Sequence, residues 1–158
     1  MSQNHTSTQQ EVVDVRGPRF AAWITATVLA TTMLVAGVSA TAAAVMLSLQ
    51  AVVFAIGAWY GPRQHPYGLV FKTLVAPRLG PVTEREPIAP LKFAQFVGLL
   101  FAVVGVAGFV SGLPVLGMLA TAGALAASFL NAAFGICLGC QLYPLITRLR
   151  RVPQTPTR

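Results

Sequence analysis

Charge is scarce in this chain. Only 9% of its 158 residues are Asp, Glu, Lys or Arg, where an ordinary soluble domain carries about a quarter. Carboxylates are scarcest, at 4 against 11 Lys and Arg, which leaves a net charge of +7. No paired carboxylates suited to general acid–base work occur. A glycine-rich phosphate loop, a dinucleotide fingerprint and a nucleophile triad are likewise missing. Two cysteines are too few for a secreted disulfide framework. No nucleic-acid module accompanies the basic excess, so nucleic acid is not a partner; the basic residues instead flank apolar segments.

Apolar sequence is what the chain has in abundance, at 55% hydrophobic residues. Four uncharged stretches, about 20–40, 41–60, 93–112 and 114–137, each approach the ~20 residues a helix needs to cross the hydrocarbon of a bilayer. The expected fold is an all-α membrane protein of four transmembrane helices, arranged as two hairpins. Its domain would run over 20–147, between a disordered tail at 1–19 and a basic tail at 148–158. The hairpin tips, Gly37-Val38-Ser39-Ala40-Thr41 and Ser111-Gly112-Leu113-Pro114, are uncharged. Every Lys and Arg falls in the two tails or in the loop 61–92. The positive-inside rule therefore predicts a multi-pass plasma-membrane protein with both termini and the long loop in the cytoplasm. Arg16, Arg19 and Val38-Ser39-Ala40 sketch a signal peptide. The apolar stretch between them is longer than a signal core, and another span follows at once, so retention is expected.

Within the loop, Pro66 to Val75 is apolar with Lys72 embedded. This suits a short interfacial helix whose lysine reaches the headgroups. Pro77, Pro81, Pro87 and Pro90 should keep 77–90 extended. Glycine pairs at spacing four (Gly57/Gly61, Gly108/Gly112 and Gly135/Gly139) predict close helix approach. They suit packing inside the bundle as readily as a homo-oligomer.

Candidate chemistry centres on Cys137-Leu138-Gly139-Cys140, at the inner end of the fourth span. Positions three apart on a helix share a face, so both thiols can act together. Transient redox, sulfur transfer, half of a metal site and inert packing all fit the pair. A zinc site would need two more ligands, and only His5 and His65 are on offer, so no metal and no cofactor is assigned. A helix C-terminus disfavours a thiolate, because that end of the macrodipole is negative. Two arrangements would remedy this: a helix break at Gly135 with a new helix starting near Cys137, or a cover of Arg63, Lys72 or Arg78. Gln50 and Asn131 lie inside spans and must find partners there, as glue between helices or as the lining of a polar path towards the cysteines. No charged residue lies mid-span, which argues against a proton-driven transporter or a voltage sensor.

Five stretches carry a family resemblance. They are Asp14-Val15-Arg16-Gly17-Pro18-Arg19-Phe20, Pro66-Tyr67-Gly68-Leu69, Pro77-Arg78-Leu79-Gly80-Pro81, Lys92-Phe93-Ala94-Gln95 and the closing Leu130-Asn131-Ala132-Ala133-Phe134-Gly135-Ile136-Cys137-Leu138-Gly139-Cys140. Over about residues 12–147 the chain resembles the domain of unknown function 4395, a family of actinobacterial membrane proteins without a settled activity. The family often carries an acid after the second cysteine, where this chain has Gln141. Members tend to be encoded near thiosulfate sulfurtransferases and thioredoxin-like proteins. The resemblance thus implies such a soluble partner beside the lipid bilayer, and a thiol-redox or sulfur-relay role for Cys137 and Cys140. A channel subunit for a small sulfur species and a non-catalytic scaffold are the alternatives.

Overall fold

A computed structural model describes residues 11–150, with side chains as far as residue 145. The expectations for residues 1–10, His5 among them, and for 151–158 lie outside the described residues. Four long helices form the body: α1 (Arg16–Ala36), α2 (Ala40–Tyr60), α4 (Ile88–Val110) and α5 (Pro114–Phe134). Each is long and apolar enough to cross a membrane. A short helix α3 (Pro66–Val70) runs on as a π-helical turn over Phe71–Val75, and α6 (Leu138–Arg150) follows α5. The expected all-α membrane fold, with its short helix in the loop, is therefore present.

The four long helices pack as a ring, with α1 against α2 and α5, and α4 against α2 and α5. Leu29, Leu47, Phe54, Ala102 and Phe109 form the centre. Small residues bring the helices together, because in lipid helix association relies on close packing. A Cβ on Gly108 would lie 2.5 Å from the backbone nitrogen of Gly117, where α4 crosses α5. A Cβ on Gly98 would meet Phe54 at 2.8 Å, which brings α2 onto α4. These glycines thus serve packing within the chain. Hydroxyls inside the spans satisfy themselves locally: Thr32 Oγ1 donates to the Val28 carbonyl at 2.8 Å, and Thr121 Oγ1 to that of Gly117 at 2.7 Å. At the first hairpin tip, Ser39 caps α2 by accepting the Ala42 N–H at 3.2 Å.

Several boundaries differ from those expected. α1 begins at Arg16, not 20, because the Arg16 N–H is taken by Asp14 Oδ1 at 3.0 Å while its guanidinium grips the same carboxylate. The residues just before it are not a loose tail. β1 (Val12–Asp14) pairs antiparallel with β2 (Arg85–Pro87), Val13 facing Glu86. Arg16 also donates to the Gly80 carbonyl at 3.2 Å, and Arg63 pairs with Glu11 at 3.5 Å. α4 starts at Ile88, so the extended segment stops short of Pro90. Pro90 stands at the third helical position, where its missing N–H has no partner to lose. α5 ends at Phe134 rather than 137, and α6 carries the helix past 148 as far as Arg150.

Replacing Gly108 by Ala places a methyl against backbone that has no rotamer to yield. The expected loss is ~1–3 kcal/mol, read as a lower melting temperature in detergent. An unchanged midpoint would mean that α4 and α5 do not cross at this point.

Candidate functional site

Gly135 decides the geometry around the cysteines. Its φ of 69° is left-handed, a conformation glycine adopts without strain. Its N–H bonds the Asn131 carbonyl at 3.1 Å, and the Ile136 N–H reaches back to Leu130 at 3.2 Å. The bond from Gly135 to Asn131 is that of the αL cap, in which a left-handed glycine closes the helix. Cys137 then begins α6. Its carbonyl accepts the Gln141 N–H at 3.1 Å, and its Sγ accepts the Cys140 N–H at 3.2 Å. Cys137 thus holds the N-cap place that Ser or Thr usually fills. Of the two remedies for a C-terminal thiolate, the helix break is the one present. Cys137 sits at the positive end of a new helix.

Cys137 and Cys140 are joined by a disulfide, with Cα atoms 5.2 Å apart. The tight start of α6 depends on Gly139, since a Cβ there would stand 2.6 Å from the Cα of Ala94 on α4. Tyr143 stacks at a tilt on Phe93 of α4, 6.1 Å between ring centres. Pro144, inside α6, has no N–H to offer the Cys140 carbonyl.

A cavity of about 310 Å³ opens beside Cys137. Asn131, Ser128, Gln95, Phe54 and Phe101 border it, and no charged residue does among the described residues. Asn131 is therefore placed beside the cysteines. The expected cations are not. Arg63, His65 and Lys72 border a second cavity, of about 430 Å³, on the loop side, and Arg78 borders neither. The cation beside the break is Arg19, whose Cζ lies 3.8 Å from the position of a Cβ on Gly135. It stands there because α1 and α5 are neighbours in the ring. Only a helix-to-helix pairing could have revealed it, and no single-chain pattern encodes that.

Gln50 is also away from the cysteines. It is 1% exposed, and its Oε1 accepts the Tyr67 hydroxyl at 2.9 Å. Gln50 lies ~15 Å along the α2 axis from Tyr60, at ~1.5 Å rise per residue, so α3 sends Tyr67 deep into the bundle. His65 is 2% exposed, and neither ring nitrogen has a hydrogen-bond partner among the described residues. Gln95 Oε1 and Gln50 Nε2 are unpartnered too. Burial holds the His65 ring well below its ordinary value, at about 4. The nearby Gln95 amide offsets this only slightly, since it lacks the geometry of a full hydrogen bond. Gln95, Pro18 and Leu91 form the wall common to the two cavities. At the rim of the loop-side cavity, the Arg16 guanidinium keeps the Asp14 carboxyl below its usual range.

A family model described as Domain of unknown function (DUF4395) matches residues 13–148. The chain belongs to the DUF4395 family. The match runs from β1 into α6, and so takes in the Gly135 break and both cysteines. No curated protein and no solved structure matches the chain.

The buried imidazole gives this DUF4395 member a pH dependence with a definite sign. From about pH 6.5 down to about 4, the unfolded chain binds a proton at His65 that the folded chain refuses. Stability therefore falls as pH drops through that window, by on the order of 3 kcal/mol at full effect. Thermal unfolding in detergent at stepped pH should show this slope, and His65→Gln should flatten it. A slope unchanged in the variant would place its origin elsewhere.

Proposed function

We propose that this protein is a membrane thiol–disulfide exchange protein acting through Cys137 and Cys140. The observation that carries the reading is the position of Cys137 as N-cap of α6, with its Sγ receiving the Cys140 N–H. A helix N-terminus favours a thiolate, so Cys137 is the better leaving group when the disulfide opens. A partner thiolate attacks Cys140 Sγ, a mixed disulfide forms, and Cys137 departs as the anion. The partner's second thiol then attacks its own bridged sulfur and frees Cys140. The partner is oxidised by two electrons and the pair is reduced by two. Running backwards, the same steps reduce the partner.

The placement of all 11 Lys and Arg supports an orientation with both termini and the loop in the cytoplasm, in the plasma membrane. On that side the partner is a soluble thiol protein of the thioredoxin-like or sulfurtransferase kind. The transport alternative is weakened, because Gln50 is bound to Tyr67 and does not border the cavity beside Cys137.

The test is acid quenching of cells, followed by a maleimide mass shift. Both oxidised and reduced forms should be found, interconverting on oxidant and reductant challenge. Cys137→Ser should accumulate a mixed disulfide through Cys140, and mass analysis would identify the partner. A pair locked in one state under both challenges, with no mixed disulfide in either single variant, overturns the reading.

A further inference from the structure

A disulfide that is opened by one partner must be closed again by another oxidant. The cavity beside Cys137 indicates the chemistry of that oxidant. It runs along α5 from Asn131, next to the disulfide, to Gly123, a depth of ~12 Å at ~1.5 Å rise per residue. It therefore leads from the helix ends into the membrane-spanning part of the bundle.

Its walls define the ligand. Among the described residues no Asp, Glu, Lys, Arg or His borders it, which favours a neutral oxidant over an ionic one that would need a counter-charge. Two rings, Phe54 and Phe101, flank it. Glycines let those rings lie close to backbone: a Cβ on Gly98 would meet Phe54 at 2.8 Å, and one on Gly123 would meet Phe101 at 2.9 Å. The polar groups are few and neutral, chiefly the amides of Gln95 and Asn131 and the Ser128 hydroxyl. Gln95 Oε1 is buried without a partner among the described residues. At about 310 Å³ the space is at the small end of ligand sites, which run ~300–1,000 Å³, and suits one planar ring system.

We infer that this cavity binds the ring of a lipid-soluble quinone, which reoxidises the Cys137–Cys140 dithiol. The inference rests on the exchange reading above. A quinone is neutral, planar, membrane-soluble and a two-electron acceptor. Amide N–H groups donate to its carbonyl oxygens, and amide oxygens accept from the hydroquinone, so Asn131 and Gln95 serve both forms. Cys137 borders the cavity and Cys140 does not. Cys137 is therefore the thiolate that delivers electrons to the ring. Cys140 Sγ bonds to Cys137 Sγ, two electrons pass to the quinone, and its oxygens take up two protons. One comes from the Cys140 thiol and one from solvent, so dithiol and quinone become disulfide and hydroquinone.

The test uses the full chain in nanodiscs, reduced with dithiothreitol and freed of excess reductant. Decylubiquinone, whose ring has no free carbon for thiol addition, is the probe. The expected result is one quinone reduced per chain, by its ultraviolet absorbance, with both thiols lost to maleimide in step. Asn131→Leu should slow this at least tenfold while keeping the wild-type melting temperature in detergent, which shows that the variant is folded. If glutathione disulfide closes the pair and decylubiquinone does not, the quinone site is wrong and the exchange reading stands. Equal quinone rates in wild type and Asn131→Leu overturn the site as well. If neither oxidant closes the pair, both readings fall.

Discussion

Saturation of backbone hydrogen bonds is the constraint from which this structure follows. Hydrocarbon offers no partner to an N–H or C=O, so each span must be a helix throughout. Irregular backbone is confined to helix ends, and the end of α5 is where the chain uses it. Gly135 turns left-handed, and the last carbonyls of α5 are answered by Gly135 and Ile136. The chain is then free to begin again. Without that turn α5 would run on through the cysteines, and neither sulfur would stand at a helix N-terminus, the end that favours a thiolate. With it, the same sulfurs open a new helix. One residue in a left-handed conformation thus reverses the electrostatics of the site.

The break also redirects the chain. α6 leaves α5 and lies on α4, with Gly139 against Ala94 and Tyr143 against Phe93. This closes the end of the bundle over the space between α1, α4 and α5. The cavity beside Cys137 is what remains beneath that closure. Its emptiness of charge has the same cause as the bundle itself, since the residues that form it are the apolar faces of spanning helices.

Span number, hairpin arrangement and the gathering of charge at one end were all legible from run lengths and the placement of Lys and Arg. These are one-dimensional properties, and the bilayer leaves the chain little choice about them. The helix break at Gly135 was legible as an option, because glycine beside an N-cap-like residue is a local signal. The pairing of Val12–Asp14 with Arg85–Pro87 was not, since three-residue strands carry no periodicity and form only when distant segments meet. The early start of α1 at Arg16 followed from that pairing, which sets Asp14 where it can hold the first turn. Arg19 was overlooked in favour of Arg63, Lys72 and Arg78 for a similar reason. Charge composition says which end a cation occupies. The neighbour it faces depends on α1 lying against α5.

The loop side of the bundle raises a different physical question. His65, Gln50 and Gln95 carry buried polar atoms without partners, each costing ~1–3 kcal/mol. Ordinary packing would have removed them, because an apolar side chain at 65 or 95 would fill the same space at no such cost. The bundle instead shapes itself around them: Gly57 gives way so that His65 and Gln95 can meet, a Cβ there lying 2.7 Å from the imidazole and 2.9 Å from Gln95. Gln95 is then the wall between the loop-side cavity and the one beside Cys137. Its Oε1 is buried in that wall without a partner among the described residues, while the same side chain lies against the His65 imidazole. Two spaces divided by one unsatisfied amide are not independent. The strap formed by β1 and β2 lies over the first of these spaces, where Val12, Val13, Asp14 and Arg85 border it.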